Sequence, residues 1–216
     1  MLIIGLTGSM GMGKSTAAER LRQLGIAVFD ADADVHRLYD GPLVPMIEAA
    51  FPGTTLDGKV DRAKLSQALL LQPDRFTVLE SIVHPAVRQS QLAVLNAQAA
   101  KGVELTVLEI PLLFESGGET RVDAVIVVSA NPDVQRQRLL ARPGMTGEKI
   151  DTLLARQMPD AEKRSRADFV IDTNGPVSAC HDQVDDIISR LAGWPCTAYD
   201  RYWRPAAPPC DPNETR

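Results

Sequence analysis

Residues Gly8-Ser9-Met10-Gly11-Met12-Gly13-Lys14-Ser15 place glycines, a lysine and a hydroxyl in the spacing Gly, any four, Gly-Lys-Ser/Thr. Glycines let a backbone wrap closely enough for successive N–H groups to face phosphate oxygens, and a helix N-terminus behind them adds a favourable dipole. In that chemistry Lys14 neutralises the β- and γ-phosphates of ATP, Ser15 offers its hydroxyl to Mg²⁺, and Thr16 stands near the α-phosphate. The residues expected against the nucleotide are therefore Gly8, Gly11, Met12, Gly13, Lys14, Ser15 and Thr16.

Phosphoryl transfer to an alcohol also needs a carboxylate that takes or orients the hydroxyl proton. Asp30-Ala31-Asp32-Ala33-Asp34 follows a short apolar run, so its acids leave a strand at the edge where open parallel sheets bind ligands. Asp32 is the choice for the acceptor proton, and Asp30 is expected to orient a metal-bound water or the acceptor. Capping of the next helix is a competing job, assigned to Asp34 or Asp32. Glu109 ends another apolar run and could reach metal-bound waters or simply face solvent. Arg136, Arg138, Arg142, Arg156, Arg164 and Arg166 cluster in one stretch of an acidic chain, where a closing lid would bring positive charge to the transferring group. Arg138 and Arg142 are expected at the phosphates, Arg138 as a catalytic group with Lys14 and Asp32.

These side chains need a scaffold that gathers them. Leu2 to Thr7, Ala27 to Asp30, Val103 to Ile110, Ala124 to Ser129 and Phe169 to Asp172 read as strands alternating with helices, which implies a parallel sheet covered on both faces. The expected fold is α/β, a three-layer phosphate-loop NTPase fold with a five-stranded parallel sheet, a helical substrate-binding insertion and a lid. Residues 1–32 and 102–193 form the core in this reading, and 33–101 a helical region holding the acceptor. Asp61 is expected to cap a helix from Arg62 to Leu71, and Pro85 to open a long helix reaching about Ala100. Pro132 opens a helix to Ala141, residues 142–147 form a lid, Glu148 to Gln157 resume helical patterning, and a last helix runs from Val177 to Leu191. The proline-rich stretch 194–216 reads as a peripheral or disordered extension.

Composition narrows the class. The formal net charge of −5 argues against a partner recognised by neutralising nucleic-acid phosphates or an anionic membrane. No window reaches the ~18 to 20 apolar residues of a bilayer span, and no signal-peptide pattern opens the chain, so a cytoplasmic protein is expected. Cys180, Cys196 and Cys210 are too scattered for a disulfide framework or a zinc site, and His36, His84 and His181 form no pair at metal-ligand spacing.

Taken together, the pieces resemble the dephospho-coenzyme A kinases, a branch of the nucleoside-monophosphate-kinase-like phosphate-loop proteins. The resemblance rests on Gly5-Leu6-Thr7-Gly8 running into the loop, Gly25-Ile26 leading to Asp30-Ala31-Asp32, Leu79-Glu80 with His84-Pro85, and Ile110-Pro111-Leu112-Leu113-Phe114-Glu115. Gln135 with Arg138 and Arg142, then Gln157, then Ala167-Asp168-Phe169-Val170-Ile171 ending near Asn174-Gly175 complete it, over about Met1 to Leu191. It implies transfer of the ATP γ-phosphate to the ribose 3′-hydroxyl of dephospho-coenzyme A, with ATP, Mg²⁺ and that acceptor as small-molecule partners and Asp32 at the catalytic position. His84, Leu112, Asp30 and Asp32 are expected on the acceptor side, although Leu112 by itself reads as packing. Glu109 stands where such sequences often carry aspartate, and Pro143 where an acid is common. A shikimate or nucleoside-monophosphate kinase would share loop and fold. A GTP-binding switch would need an Asn-Lys-x-Asp element, which the sequence lacks.

Overall fold

Short apolar runs without a polar face cannot lie on the surface, and here they pair side by side with helices over both faces. In the computed structural model, which describes residues 1–204, the strands are β1 (Leu2–Thr7), β2 (Ala27–Asp30), β3 (Leu105–Glu109), β4 (Ala124–Ser129) and β5 (Phe169–Asp172). They form one sheet in the order β2-β3-β1-β4-β5, with every pairing parallel. Central β1 has β3 on one side and β4 on the other. The connection leaving β1 runs to β2 and the one leaving β3 runs the opposite way to β4, which opens a crevice at the C-terminal ends of β1 and β3.

The period of two along β1 divides the core into two layers. Leu2, Ile4 and Leu6 pack with Ala17 and Leu21 of α1 (Lys14–Gln23) and with Cys180, Val184 and Ile187 of α9 (Val177–Arg190). Ile3 faces the other way, joining Phe29, Leu108 and Leu95. Leu95 belongs to α5 (Phe76–Ala100).

The stretch between β2 and β3 is largely helical, as its patterning predicts, with α2 (Ala31–Tyr39), α3 (Val44–Ala50), α4 (Arg62–Leu71) and α5 sharing a separate apolar cluster around Ile47, Leu65 and Val83. Asp61 caps α4 as expected, its carboxylate accepting from the Ala63 and Lys64 amides. Two features differ from the sequence reading. A hairpin pairs Thr55–Leu56 with Lys59–Val60 through Asp57 and Gly58, whose φ values of 50° and 73° suit the Asp-Gly turn that the reading passed over. Pro85 does not open α5 but lies inside it. Its ring removes one donor to the Ser81 carbonyl, while the turns before it bury Val83 and half-bury Phe76 and Leu79. Packing of those side chains outweighs one missing hydrogen bond.

Beyond β4 lie α6 (Pro132–Leu140), α7 (Gly147–Leu154) and α8 (Asp160–Ser165), the last not anticipated from sequence. The larger departure is the segment 194–204, read as a peripheral extension. It is docked. Asp123 accepts hydrogen bonds from the Thr197 and Ala198 amides at 2.6 and 2.7 Å with one carboxylate oxygen and from the Ile3 amide at 2.8 Å with the other. The Trp194 indole donates to the Asp123 carbonyl, and Trp203 is buried among Phe29, Leu95 and Leu108. Apolar indoles and one carboxylate at the start of β4 hold what composition alone marks as a tail. The rest of the expected extension, 205–216, lies outside the described residues, as does Cys210; Cys180 and Cys196 are free thiols.

Asp123→Ala leaves the part-buried Ile3 and Ala198 amides without their acceptor, and the exposed Thr197 amide to water, and is expected to cost about 2 kcal/mol, since each orphaned buried donor costs roughly 1 to 3 kcal/mol. The fall in urea midpoint measures it, and faster proteolysis after Gly193 should accompany it.

Candidate active site

The glycine loop leaves β1 at the crevice and turns into α1. A Cβ at Gly8 would lie 2.5 Å from the Val128 carbonyl oxygen, so only glycine lets the chain pass β4 there. Gly13, at φ 88°, is the residue from which α1 starts. The loop's shape is held from outside. The Met10 peptide is gripped at both ends, its N–H donating to Gln157 Oε1 at 3.0 Å and its carbonyl accepting from Gln135 Nε2 at 2.7 Å. Thr173 Oγ1 donates to the Met12 carbonyl at 2.7 Å. The Met12 side chain is buried beneath the loop and its sulfur accepts from the Ala130 amide, so only its backbone belongs to the nucleotide side. Among the described residues, the amides of Gly11, Gly13, Lys14 and Ser15 donate to no protein acceptor. They border a cleft of about 710 Å³, within the usual size of small-molecule sites.

Charge around this cleft is partly balanced in place. Lys14 Nζ pairs with Glu109 Oε1 at 2.9 Å, and Arg22 reaches Glu109 Oε2 at 3.4 Å. Glu109 is thus a buried acceptor for two cations rather than a solvent-facing strand end. Arg22 was missed by the sequence reading; nothing in α1 distinguishes it from Arg20, which pairs outward with Asp185. Arg138 lines the same cleft, with its guanidinium on the Thr173 hydroxyl at 3.0 Å and carbonyl at 2.6 Å. Arg142 lines it from the turn after α6, and Ser15 and Thr16 complete the lysine end.

The three aspartates after β2 divide their work differently from the expectation. Asp30, not Asp32 or Asp34, caps α2, accepting from the Ala33 amide at 2.9 Å. Asp34 turns inward and binds Arg37 at 2.7 Å. Asp32 is left exposed at the cleft. Registers explain why: Asp30 and Glu109 are paired partners at the sheet edge, so the next turn carries Asp32 over the crevice.

A second cavity of about 350 Å³ adjoins the first, and Asp32, Pro111 and Gln157 line both. His84 and Leu112 line the second cavity. The predicted acceptor-side residues are therefore brought together around Asp32, except that the Asp30 carboxylate is engaged as a helix cap. Leu113 and Phe114 are buried packing, whereas Leu112, which by itself reads as packing in the sequence, is exposed at the cavity wall.

The segment after β3 is pinned by a lysine that looks like ordinary surface charge in the sequence. Lys163 is fully buried, 2.9 Å from Glu115 Oε1 and 3.3 Å from the Pro111 carbonyl. Around the expected lid, Arg136 of α6 binds Asp151 of α7 at 2.6 Å, and Arg156 stands 3.4 Å from the Phe76 ring centre. The hydrogen bond from Arg136 holds the Asp151 carboxyl below its ordinary value, so this pair operates above the usual aspartate range and is lost as pH falls through that lowered value. Arg166 binds Glu119 and Arg164 approaches Asp160, both away from the cleft.

This arrangement has known relatives. A family model for dephospho-CoA kinase matches residues 2–178. The chain belongs to the dephospho-CoA kinase family. A dephospho-CoA kinase of Rhodopseudomonas palustris is 54% identical over 195 residues, covering 90% of this chain and 98% of that protein. One from Agrobacterium fabrum is 54% identical over 191 residues, covering 88% and 98%. Among solved structures, a Thermus thermophilus protein superposes with a TM-score of 0.74 at 34% identity, over 88% of this chain and 97% of that one. Dephospho-CoA kinase from Campylobacter jejuni, at 24% identity, superposes with a TM-score of 0.65 over 88% and 97%, and supports the fold. Gln135 and Gln157, which accompany the arginines in the sequence, both hold the Met10 peptide.

The donors suit Mg²⁺, which usually relies on substrate phosphates, water and few protein groups rather than a protein cage. The cleft offers the Ser15 hydroxyl, with the Glu109 carboxylate also at its wall. Among the described residues no cluster of three or more His, Cys, Asp or Glu side chains could hold a metal by itself.

Lys163 is buried while Glu115 stays partly exposed and keeps the Met158 amide, so Lys163→Met is expected to destabilise the protein by about 1 to 3 kcal/mol. Adding Glu115→Leu should recover much of the loss in chemical denaturation.

Proposed function

We propose that this chain carries out its family's reaction, phosphorylating the ribose 3′-hydroxyl of dephospho-CoA with ATP to give coenzyme A and ADP, the last step of coenzyme A synthesis. The observation that carries this reading is the position of Asp32, exposed where a nucleotide-sized cleft meets a second cavity.

The free amides of the loop and Lys14 bind the β- and γ-phosphates, Lys14 exchanging its contact with Glu109 for the triphosphate. Ser15, with Glu109 acting through water, would hold Mg²⁺ beside the phosphates, and the ion would supply screening of the phosphate charge. Asp32 takes the proton of the 3′-hydroxyl as that oxygen attacks the γ-phosphorus. The bond from the γ-phosphorus to the β-bridging oxygen breaks, and ADP leaves with its electron pair. Arg138 is preset beside the loop, and Arg142 descends from the lid turn at 142–147 to stabilise the equatorial oxygens and exclude water. The helical region 33–101 holds the coenzyme end of the acceptor, with His84 and Leu112 at its wall. The net negative charge fits small-molecule substrates in the cytoplasm rather than nucleic acid or a membrane, and no described helix is long and apolar enough to cross a bilayer.

Lys14→Ala is expected to abolish turnover and weaken ATP binding. Asp32→Asn should lower kcat about a hundredfold or more and spare ATP affinity; near-normal turnover would remove it from the mechanism. In an ADP-release assay across dephospho-CoA, shikimate and nucleoside monophosphates, dephospho-CoA should give the highest kcat/KM, and preference for another acceptor would refute the assignment.

A further inference from the structure

The second cavity is walled by Val35, Val83, Val87, Leu108 and Ile110, yet it also holds two guanidinium groups. Arg88 comes from α5 and Arg121 from the loop before β4. Neither has an ion-pair or side-chain hydrogen-bond partner among the described residues. Burial, then the neighbouring positive charge of Arg88, holds the Arg121 guanidinium below its ordinary value. Glu119, the acid that opposes this shift, is already engaged by Arg166. Arg121 is half-buried in a largely apolar cavity and faces the like charge of the exposed Arg88, a cost that an anion placed between the two would offset. Guanidinium forks match phosphate oxygens in both charge and geometry.

Arg121 is held by a part of the chain beyond the family model's match at residues 2–178. The Trp203 indole N–H donates to the Arg121 carbonyl at 2.8 Å, and the same side chain forms part of the cavity wall. Its segment is fixed by Asp123 and by the Tyr199 hydroxyl, which donates to Asn96 of α5 at 2.9 Å. Wall, cation and anchor therefore arrive together.

We propose that the C-terminal segment is a specificity-determining part of the acceptor site, with Trp203 forming its wall and positioning Arg121, and Arg121 and Arg88 binding the diphosphate of the acceptor. This rests on the function proposed above and adds the group by which the acceptor is told from a bare nucleoside. Dephospho-CoA carries that diphosphate on the ribose bearing the reacting hydroxyl, whereas adenosine presents the same ribose and base with no phosphate.

The test uses the full chain with saturating ATP and compares dephospho-CoA with adenosine, the latter as acceptor or as competitive inhibitor against dephospho-CoA. Arg121→Met and Arg88→Met should each lower kcat/KM for dephospho-CoA at least about thirtyfold, mainly through KM, as expected for loss of a charge-assisted phosphate contact. The adenosine constant and the KM for ATP should change less than about threefold. Trp203→Phe keeps an aromatic wall but loses the N–H, so it should raise the KM for dephospho-CoA by a smaller factor with kcat nearly unchanged. Trp203→Ala, which also opens the core, should exceed it. Equal loss on both acceptors in Arg121→Met, or an unchanged KM for dephospho-CoA, overturns the phosphate site while leaving the function standing. Wild-type protein inert toward dephospho-CoA overturns the function reading on which the inference rests.

Discussion

Backbone amides that face a cleft without a protein acceptor are the constraint around which this molecule is arranged. Left to themselves, the N–H groups of Gly11, Gly13, Lys14 and Ser15 would be satisfied by any loop that folded back on them. Several contacts oppose that collapse. Gln135 and Gln157 grip the Met10 peptide, Thr173 takes the Met12 carbonyl, and the buried Met12 side chain anchors the loop from below. The anion site is thus built into the fold by groups that need not touch an anion themselves.

Electrostatics completes the preparation. A lysine beside free amides would repel other cations, and the buried Glu109 holds both Lys14 and Arg22. On the proposed function a triphosphate would compete for Lys14 against a single carboxylate, and Arg22 would remain to balance Glu109. Arg138, fastened to Thr173 of the segment that also holds the loop, couples positive charge to loop geometry. The sheet edge and α6 therefore border one small volume.

The two cavities divide the labour of recognition. One is lined by loop, lysine and arginines; the other is apolar, with cations at its wall and α5 on one side. Pro111 and Gln157 belong to both, and Pro111 is held through the buried Lys163. The stretch after α7 reaches both the partition and the helical region, through Gln157, which lines both cavities, and through the Arg156 contact with Phe76 at the start of α5.

Much of this was legible in the residues themselves. The strand boundaries of β1, β2, β4 and β5 follow from apolar runs whose ends are marked by glycine or aspartate, and the phosphate loop from its glycine spacing, because both signals are local. Asp32 could be named as an acid at the correct edge, since strand direction alone brings it there. What the chain could not declare were the partners. Whether Asp30 or Asp32 caps α2 depends on backbone angles at the strand's end, and Pro85 could stay mid-helix only because Val83 and its neighbours have a core to enter. Lys163 resembles any surface lysine until α8 docks on the loop after Glu109. Trp194 and Trp203 sit among prolines with no periodic face; Asp123 fixes their segment, Trp194 packs on Phe169 of β5, and Trp203 fills a gap beside β3 that exists only once the sheet is assembled. Short-range patterning sets which elements form, while contacts between residues a hundred positions apart set which charges are free to act.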